Sequence, residues 1–346
     1  MSSTFDLLVE VVKESDIKKV AAELNITKST INRWFLLESV PGNYYFDLIK
    51  MKGGDIDYSN FTHREKDQFF TPIETASYCV EVFKNKIRDL GLREEEFNYI
   101  EPSAGSGSFL KLLPKERRIG LDIEPRDSEI MTEDFLTWFP ENKLNNVVIG
   151  NPPFGLRGHT ALRFINHSCQ FADFVVFILP QFFESDGKGT PMKRVKGFNL
   201  IHSEKIEPLF KDPEGNNIKV NTVFQIWSKN FNIEENRQTC KDFIKVYSLS
   251  DGGTPGTTRN KDLIGKCDVY IPSTCFGSKK MRVYSSFDEL PNKKGYGVVF
   301  LREIERVSEI FNNIDWASAS FKSTNSAFNL RTSKIEQELV KRGLVD

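Results

Sequence analysis

No run of about 18 consecutive apolar residues occurs in this 346-residue chain, so no membrane-spanning helix is expected. The first ten residues lack a basic cluster followed by an apolar stretch, so they are not expected to act as a secretory signal. The five cysteines, Cys79, Cys169, Cys240, Cys267 and Cys275, are scattered, odd in number and never spaced C-x-x-C. Neither a disulfide framework nor a zinc site is therefore expected, and a reducing cytoplasm (the interior of a host cell if the gene is viral) fits this cysteine usage. An excess of one charge is also missing: 47 Lys and Arg against 48 Asp and Glu leave a net charge of −1, which argues against a simple nucleic-acid coat. There is no internal repeat and no long low-complexity tract.

What is present is ordinary globular material, with 39% hydrophobic and 27% charged residues. The length suits one large domain or two to three smaller ones. The charge is unevenly spread. From Gln181 onward 26 basic residues face 21 acidic ones, whereas 21 face 27 before it. A more basic second half is compatible with phosphate contacts and equally with a solvated surface.

Four segments are expected: 1–52, 53–68, 69–232 and 233–346. In the first, Ile17, Val20, Ala21 and Leu24 fall on one helix face, and a second short helix is predicted over 29–35 with Ile31 and Trp34 inward. Asn25 and the Thr27-Lys28-Ser29 cluster interrupt the two, a pattern that resembles a helix-turn-helix. In that reading Lys28, Ser29, Thr30, Asn32 and Arg33 open the recognition helix; an ordinary helical hairpin is the alternative. The stretch 53–68 is polar and reads as a linker. A helix is predicted over 73–90, then strands over 98–102, 118–123, 146–150, 174–179 and 220–227. This alternation predicts an α/β fold with a doubly wound sheet. Beyond 233 the pattern changes to a loop-like 251–258, short β-prone runs and the pairs Lys279-Lys280 and Lys293-Lys294.

Three motifs carry chemistry. Glu101-Pro-Ser103-Ala104-Gly105-Ser-Gly107 follows a predicted strand and is expected to open a helix, with glycines that let a ligand approach the backbone. Leu110 stands where a dinucleotide fingerprint needs its third glycine, which disfavours that ligand. Glu101 is placed to meet the cationic amino-acid part of a cofactor. Asp122, at the end of the second strand, is placed for ribose hydroxyls, and Asp134 for an adenine amino group. The third motif is Asn151-Pro152-Pro153-Phe154 after a buried strand. Its prolines fix φ and remove two donors while their carbonyls remain acceptors. Two acceptors beside a flat Phe154 face suit an amino group on a planar ring. Stacking there is worth about 1–3 kcal/mol, against the few kcal/mol needed to extrude a base.

The ordered set Phe69-Phe-Thr71-Pro72, Glu101 to Gly107, Asp122, Asp134-Phe135-Leu136 and Asn151 to Phe154 resembles the DNA adenine-N6 methyltransferases of restriction–modification type, in the group whose target-recognition region is C-terminal. The resemblance covers about 67–227. It implies a Rossmann-like methyltransferase sheet, with the target-recognition region at 233–346 and Lys279 and Lys280 among its nucleic-acid contacts. S-adenosylmethionine would lie among Thr71, Pro72, Glu101, Ser103, Ala104, Gly105, Gly107, Asp122, Ile123, Asp134 and Phe135. A flipped adenine would be held by Asn151, Pro152, Pro153 and Phe154, and transfer would be direct, without metal or covalent intermediate. Double-stranded DNA would be the partner, with a cognate restriction endonuclease as a second one and no membrane. Phe154 departs from the commoner Tyr, and the N-terminal helices lie outside the usual pattern. Alternatives are an RNA guanine-N2 or adenine-N6 methyltransferase, a protein-glutamine methyltransferase, and a non-catalytic DNA-binding regulator. Ser would be commoner at position 151 in a cytosine-N4 enzyme, and the lack of a Pro-Cys dipeptide argues against cytosine-C5 attack.

Overall fold

The computed structural model describes residues 3–346 except 25, 55, 57–60, 63–65, 156–157, 188–189, 234–237, 277–280 and 323–326. Four helices come first. Ser3 and Asp6 form a reciprocal capping box that starts α1 (Thr4–Glu14). Asp16 caps α2 (Ile17–Glu23), and the Thr27 hydroxyl caps α3 (Lys28–Leu37) by accepting the Thr30 N–H. After a short 3-10 turn comes α4 (Tyr45–Met51). Leu8, Val20, Leu24, Ile31, Trp34 and Leu48 recur at helical spacing and bury together as a small core.

The central sheet follows. Helix α5 (Ile73–Asp89) leads to β1 (Asn98–Glu101), β2 (Arg118–Asp122), β3 (Ile130–Thr132) and β4 (Asn146–Gly150). Helix α6 (His159–Ser168) then leads to β5 (Phe174–Pro180). Next come β6 (Asn199–Ile206), the β7 (Leu209–Lys211) and β8 (Asn217–Lys219) hairpin, and β9 (Thr222–Ser228). The sheet order runs β3-β2-β1-β4-β5-β9, parallel up to β5, with β9 antiparallel to β5. Every residue of β4 is buried, as expected for a strand covered on both faces. Helix α5 buries Ala76, Cys79, Val80, Phe83 and Ile87, and Phe83 meets Phe174 edge-on at 5.7 Å. Helix α6 buries Ala161, Leu162, Phe164 and Ile165. The chain winds outward from β1 to β3, then returns to the far side of β1 at β4. Crevices open at such a reversal, beyond the C-terminal strand ends.

Two compact units are defined by their internal contacts. The first holds Met1–Pro180, Val195–Phe198 and Ile206–Lys229; the second holds Gln181–Arg194, Asn199–Lys205 and Asn230–Asp346. The N-terminal helices fall in the same unit as most of the 69–232 segment, whereas 181–194 and 199–205 fall in the other. In the second unit β10 (Ile244–Ser250), β13 (Lys294–Phe300) and β11 (Val269–Pro272) form an antiparallel sheet in the order β10-β13-β11. The shorter strands β12 (Thr274–Cys275), β14 (Phe321–Lys322) and β15 (Phe328–Asn329) make another. Helices α7 (Ile304–Asn312), α8 (Trp316–Ala319) and α9 (Thr332–Val340) complete it. Its core gathers Ile271, Val298, Phe311, Trp316, Leu330 and Ile335. Among the described residues no helix is long and apolar enough to cross a membrane.

One expectation needs correction. The glycine loop does not open a helix: it turns through 105–109 into a three-residue 3-10 segment, Leu110–Leu112. Gly and Ser are poor helix formers, and Pro114 lacks the N–H a longer helix would need. Any anion affinity of this loop therefore rests on its own N–H groups, not on a helix dipole.

Candidate functional site

The site lies where β1, β2 and β4 end. The register pairs Ile100 with Val148, so Glu101-Pro102-Ser103 and Asn151 leave the sheet side by side. The Ser103 hydroxyl donates to the Asn151 carbonyl at 3.1 Å, and the Asn151 Nδ2 donates to the Phe69 carbonyl at 3.3 Å. The Ser108 hydroxyl donates to the Thr71 carbonyl at 2.7 Å. Residues 69–71 thus touch both the glycine loop and the Asn-Pro-Pro-Phe loop. Gly105 has φ +53, and a Cβ there would stand 3.0 Å from the Phe70 ring, so only glycine keeps this loop in place.

The carboxylates are engaged by the backbone. Glu101 is 2% exposed, its Oε2 accepts the Leu110 N–H at 2.6 Å, and burial pushes its pKa up to about 8. Asp122 accepts the N–H groups of Gly105 at 2.7 Å and Glu124 at 2.8 Å, while burial raises its pKa. Asp134 accepts the Leu136 N–H at 3.1 Å through Oδ1 and pairs with Lys50 through Oδ2. Asp67 accepts the N–H groups of Gly155 and Phe154, and burial raises its pKa as well.

Two adjoining cavities share Lys66, Asp67, Ser103, Asp122, Ile123 and Pro153. Thr71, Glu101, Ala104, Gly105 and Asn151 line the first. Asp134, Phe135 and Phe164 line the second, together with Asn43, Phe46, Asp47, Lys50 and Arg163. Phe135 stacks on Phe164 at 5.1 Å, whereas Ile123 is 39% exposed. Of the cofactor and catalytic residues named from the sequence, Pro72, Gly107, Pro152 and Phe154 line neither of these two cavities. Phe154 is 9% exposed; its carbonyl accepts the Thr160 and Ala161 N–H groups at the start of α6. The side-chain oxygen Oδ1 of Asn151 is buried with no hydrogen-bond partner among the described residues.

Sequence reasoning missed Lys66, Asp67 and the α4 residues. Lys66, which pairs with Glu124 at 2.8 Å, stands with Asp67 in the stretch read as a linker. No local pattern marks any of them, since their role comes from tertiary contact. On α3, Lys28, Ser29, Asn32 and Arg33 are exposed and Thr30 is half-buried. Lys279, Lys280 and Asn25 lie outside the described residues.

Strand order, glycine loop and acidic series together form an α/β unit with two adjoining cavities at its strand ends. No family model matches the chain. Over 88 residues it is 35% identical to the type II methyltransferase M.CvrRI of Paramecium bursaria Chlorella virus XZ-6E. That similarity takes in 20% of this chain and 23% of the relative's length. A SAM-dependent methyltransferase from Anabaena variabilis ATCC 29413 is 15% identical with a TM-score of 0.26, covering 42% of this chain and 84% of that one. The modification subunit of a candidate type I restriction enzyme from Vibrio vulnificus YJ016 is 14% identical with a TM-score of 0.35, covering 88% and 67%. Part of the chain is thus methyltransferase-like in sequence, and the cofactor this implies is S-adenosylmethionine. The residues fit that group: the glycine loop, the two carboxylates Glu101 and Asp122 at successive strand ends, and apolar Ile123 line one cavity.

Proposed function

We propose that this chain is a restriction–modification-type methyltransferase acting on the N6 amino group of adenine in double-stranded DNA. The buried, unpartnered Asn151 Oδ1 beside the first cavity carries this reading. An unsatisfied buried acceptor costs about 1–3 kcal/mol, a cost that a substrate N–H would remove. The similarity to a type II methyltransferase supports the same class.

In this reading the cofactor supplies an electrophilic methyl group. Asn151 Oδ1 and the Pro152 carbonyl accept the two amino hydrogens and direct the nitrogen lone pair at that methyl. The cofactor would supply the methyl by breaking its S–C bond and keeping the electron pair on sulfur, and the methylated nitrogen would lose one proton to solvent. Ser103 and Asp67 hold the backbone of the acceptor loop in place. Positioning and preorganised dipoles account for the acceleration. Phe154 stacks on the base once its face is uncovered.

Asn151→Ala is expected to reduce methyl transfer at least about a hundredfold while calorimetric cofactor affinity stays within about threefold. Asp122→Ala is expected to weaken cofactor binding first. Near-normal turnover by Asn151→Ala refutes the acceptor assignment.

A further inference from the structure

The second cavity is lined by Ile123 and Asp134 from the strand ends and also by Asn43, Phe46 and Lys50 from the N-terminal helical region. That region is fastened beside it at several points. Lys50 Nζ pairs with Asp134 Oδ2, and Asp47 pairs with Arg163 of α6. The His159 ring, also on α6, hydrogen-bonds the Leu24 carbonyl and lies 5.1 Å from the Tyr44 ring. The strand ends offer a nucleoside the exposed aliphatic side chain of Ile123 and the carboxylates of Asp122, Glu133 and Asp134. An aromatic base has two faces to cover, and Phe46 is an aromatic side chain lining the same cavity.

We propose that α4 forms a wall of the cofactor's nucleoside subsite, with Phe46 as a binding residue and Lys50 as a positioning residue that acts through Asp134. This rests on the cofactor reading above. Phe46 covers one face of the adenine. Lys50 holds Asp134 and pins α4 to the pocket, leaving Asp134 lone pairs to accept the adenine amino group. The N-terminal helices then serve cofactor binding directly.

The test uses the whole chain and two probes, S-adenosylhomocysteine and adenosine, titrated calorimetrically into wild type, Phe46→Ala and Lys50→Met. Both variants are expected to lose about tenfold or more in affinity for each probe. In the wild type, S-adenosylhomocysteine is expected to slow amide exchange in α4. Lys50→Met alters a partly exposed side chain and keeps the test open should Phe46→Ala unfold. Wild-type binding with unchanged variant affinities, or α4 exchange indifferent to the probe, overturns the α4 assignment alone. A wild-type chain that binds neither probe overturns the cofactor reading and this proposal with it.

Discussion

Glu101 sits at the tip of β1 with its carboxyl group among backbone donors and out of water. Burial outweighs the Leu110 and Phe109 N–H groups, so its pKa stands at about 8 against an ordinary 4.5. Between those values the folded chain binds more protons at this group than the unfolded chain does. Stability from Glu101 is therefore present below about pH 4.5 and is lost as pH rises toward 8. Glu101→Gln removes the titration. Denaturant unfolding of the variant between about pH 5 and 8 is expected to show a shallower decline than wild type. Equal slopes contradict the assignment. The residue type at position 101 was legible in the sequence, but its protonation was not. That depends on donors eight and nine positions away, which a turn brings back onto the strand.

The loop from β4 to α6 is held from outside itself. Asp67, at φ +57, accepts the N–H groups of both Phe154 and Gly155. Gly155, at φ +66, approaches Thr160 so closely that a Cβ would lie 2.2 Å from its hydroxyl oxygen. Asp67→Ala leaves the two N–H groups without their acceptor. The expected loss is about 1–3 kcal/mol of stability, with kcat falling more than cofactor affinity. Denaturation and steady-state kinetics check this; a stability change under about 0.5 kcal/mol with normal kcat counts against it. The strands that frame this loop were legible because β1, β4 and β5 are short apolar runs bounded by turn residues, and 146–150 was read with its observed limits. After the glycine loop the sequence predicts a helix start where the structure has a 3-10 turn. There the strand-then-glycine pattern outweighed the weak helix propensity of Ser106, Gly107 and Ser108. Asp67 and α4 escaped notice because a polar stretch and a short amphipathic helix look the same whether or not a site lies against them.

In the whole chain, every sequence-named cofactor residue belongs to the first unit, and both cavities are lined by that unit alone. The second unit is built from its own sheet and core and carries none of the three motifs, which is why its sequence says little beyond a change of texture. The central claim is transfer of a methyl group to adenine. It is tested by incubating the chain with methyl-labelled S-adenosylmethionine and unmethylated double-stranded DNA of varied sequence, then digesting to nucleosides. Label is expected in N6-methyladenine with wild type, and at least about a hundredfold less with Asn151→Ala. Label in another nucleoside, or cofactor and DNA binding without any transfer, would contradict it.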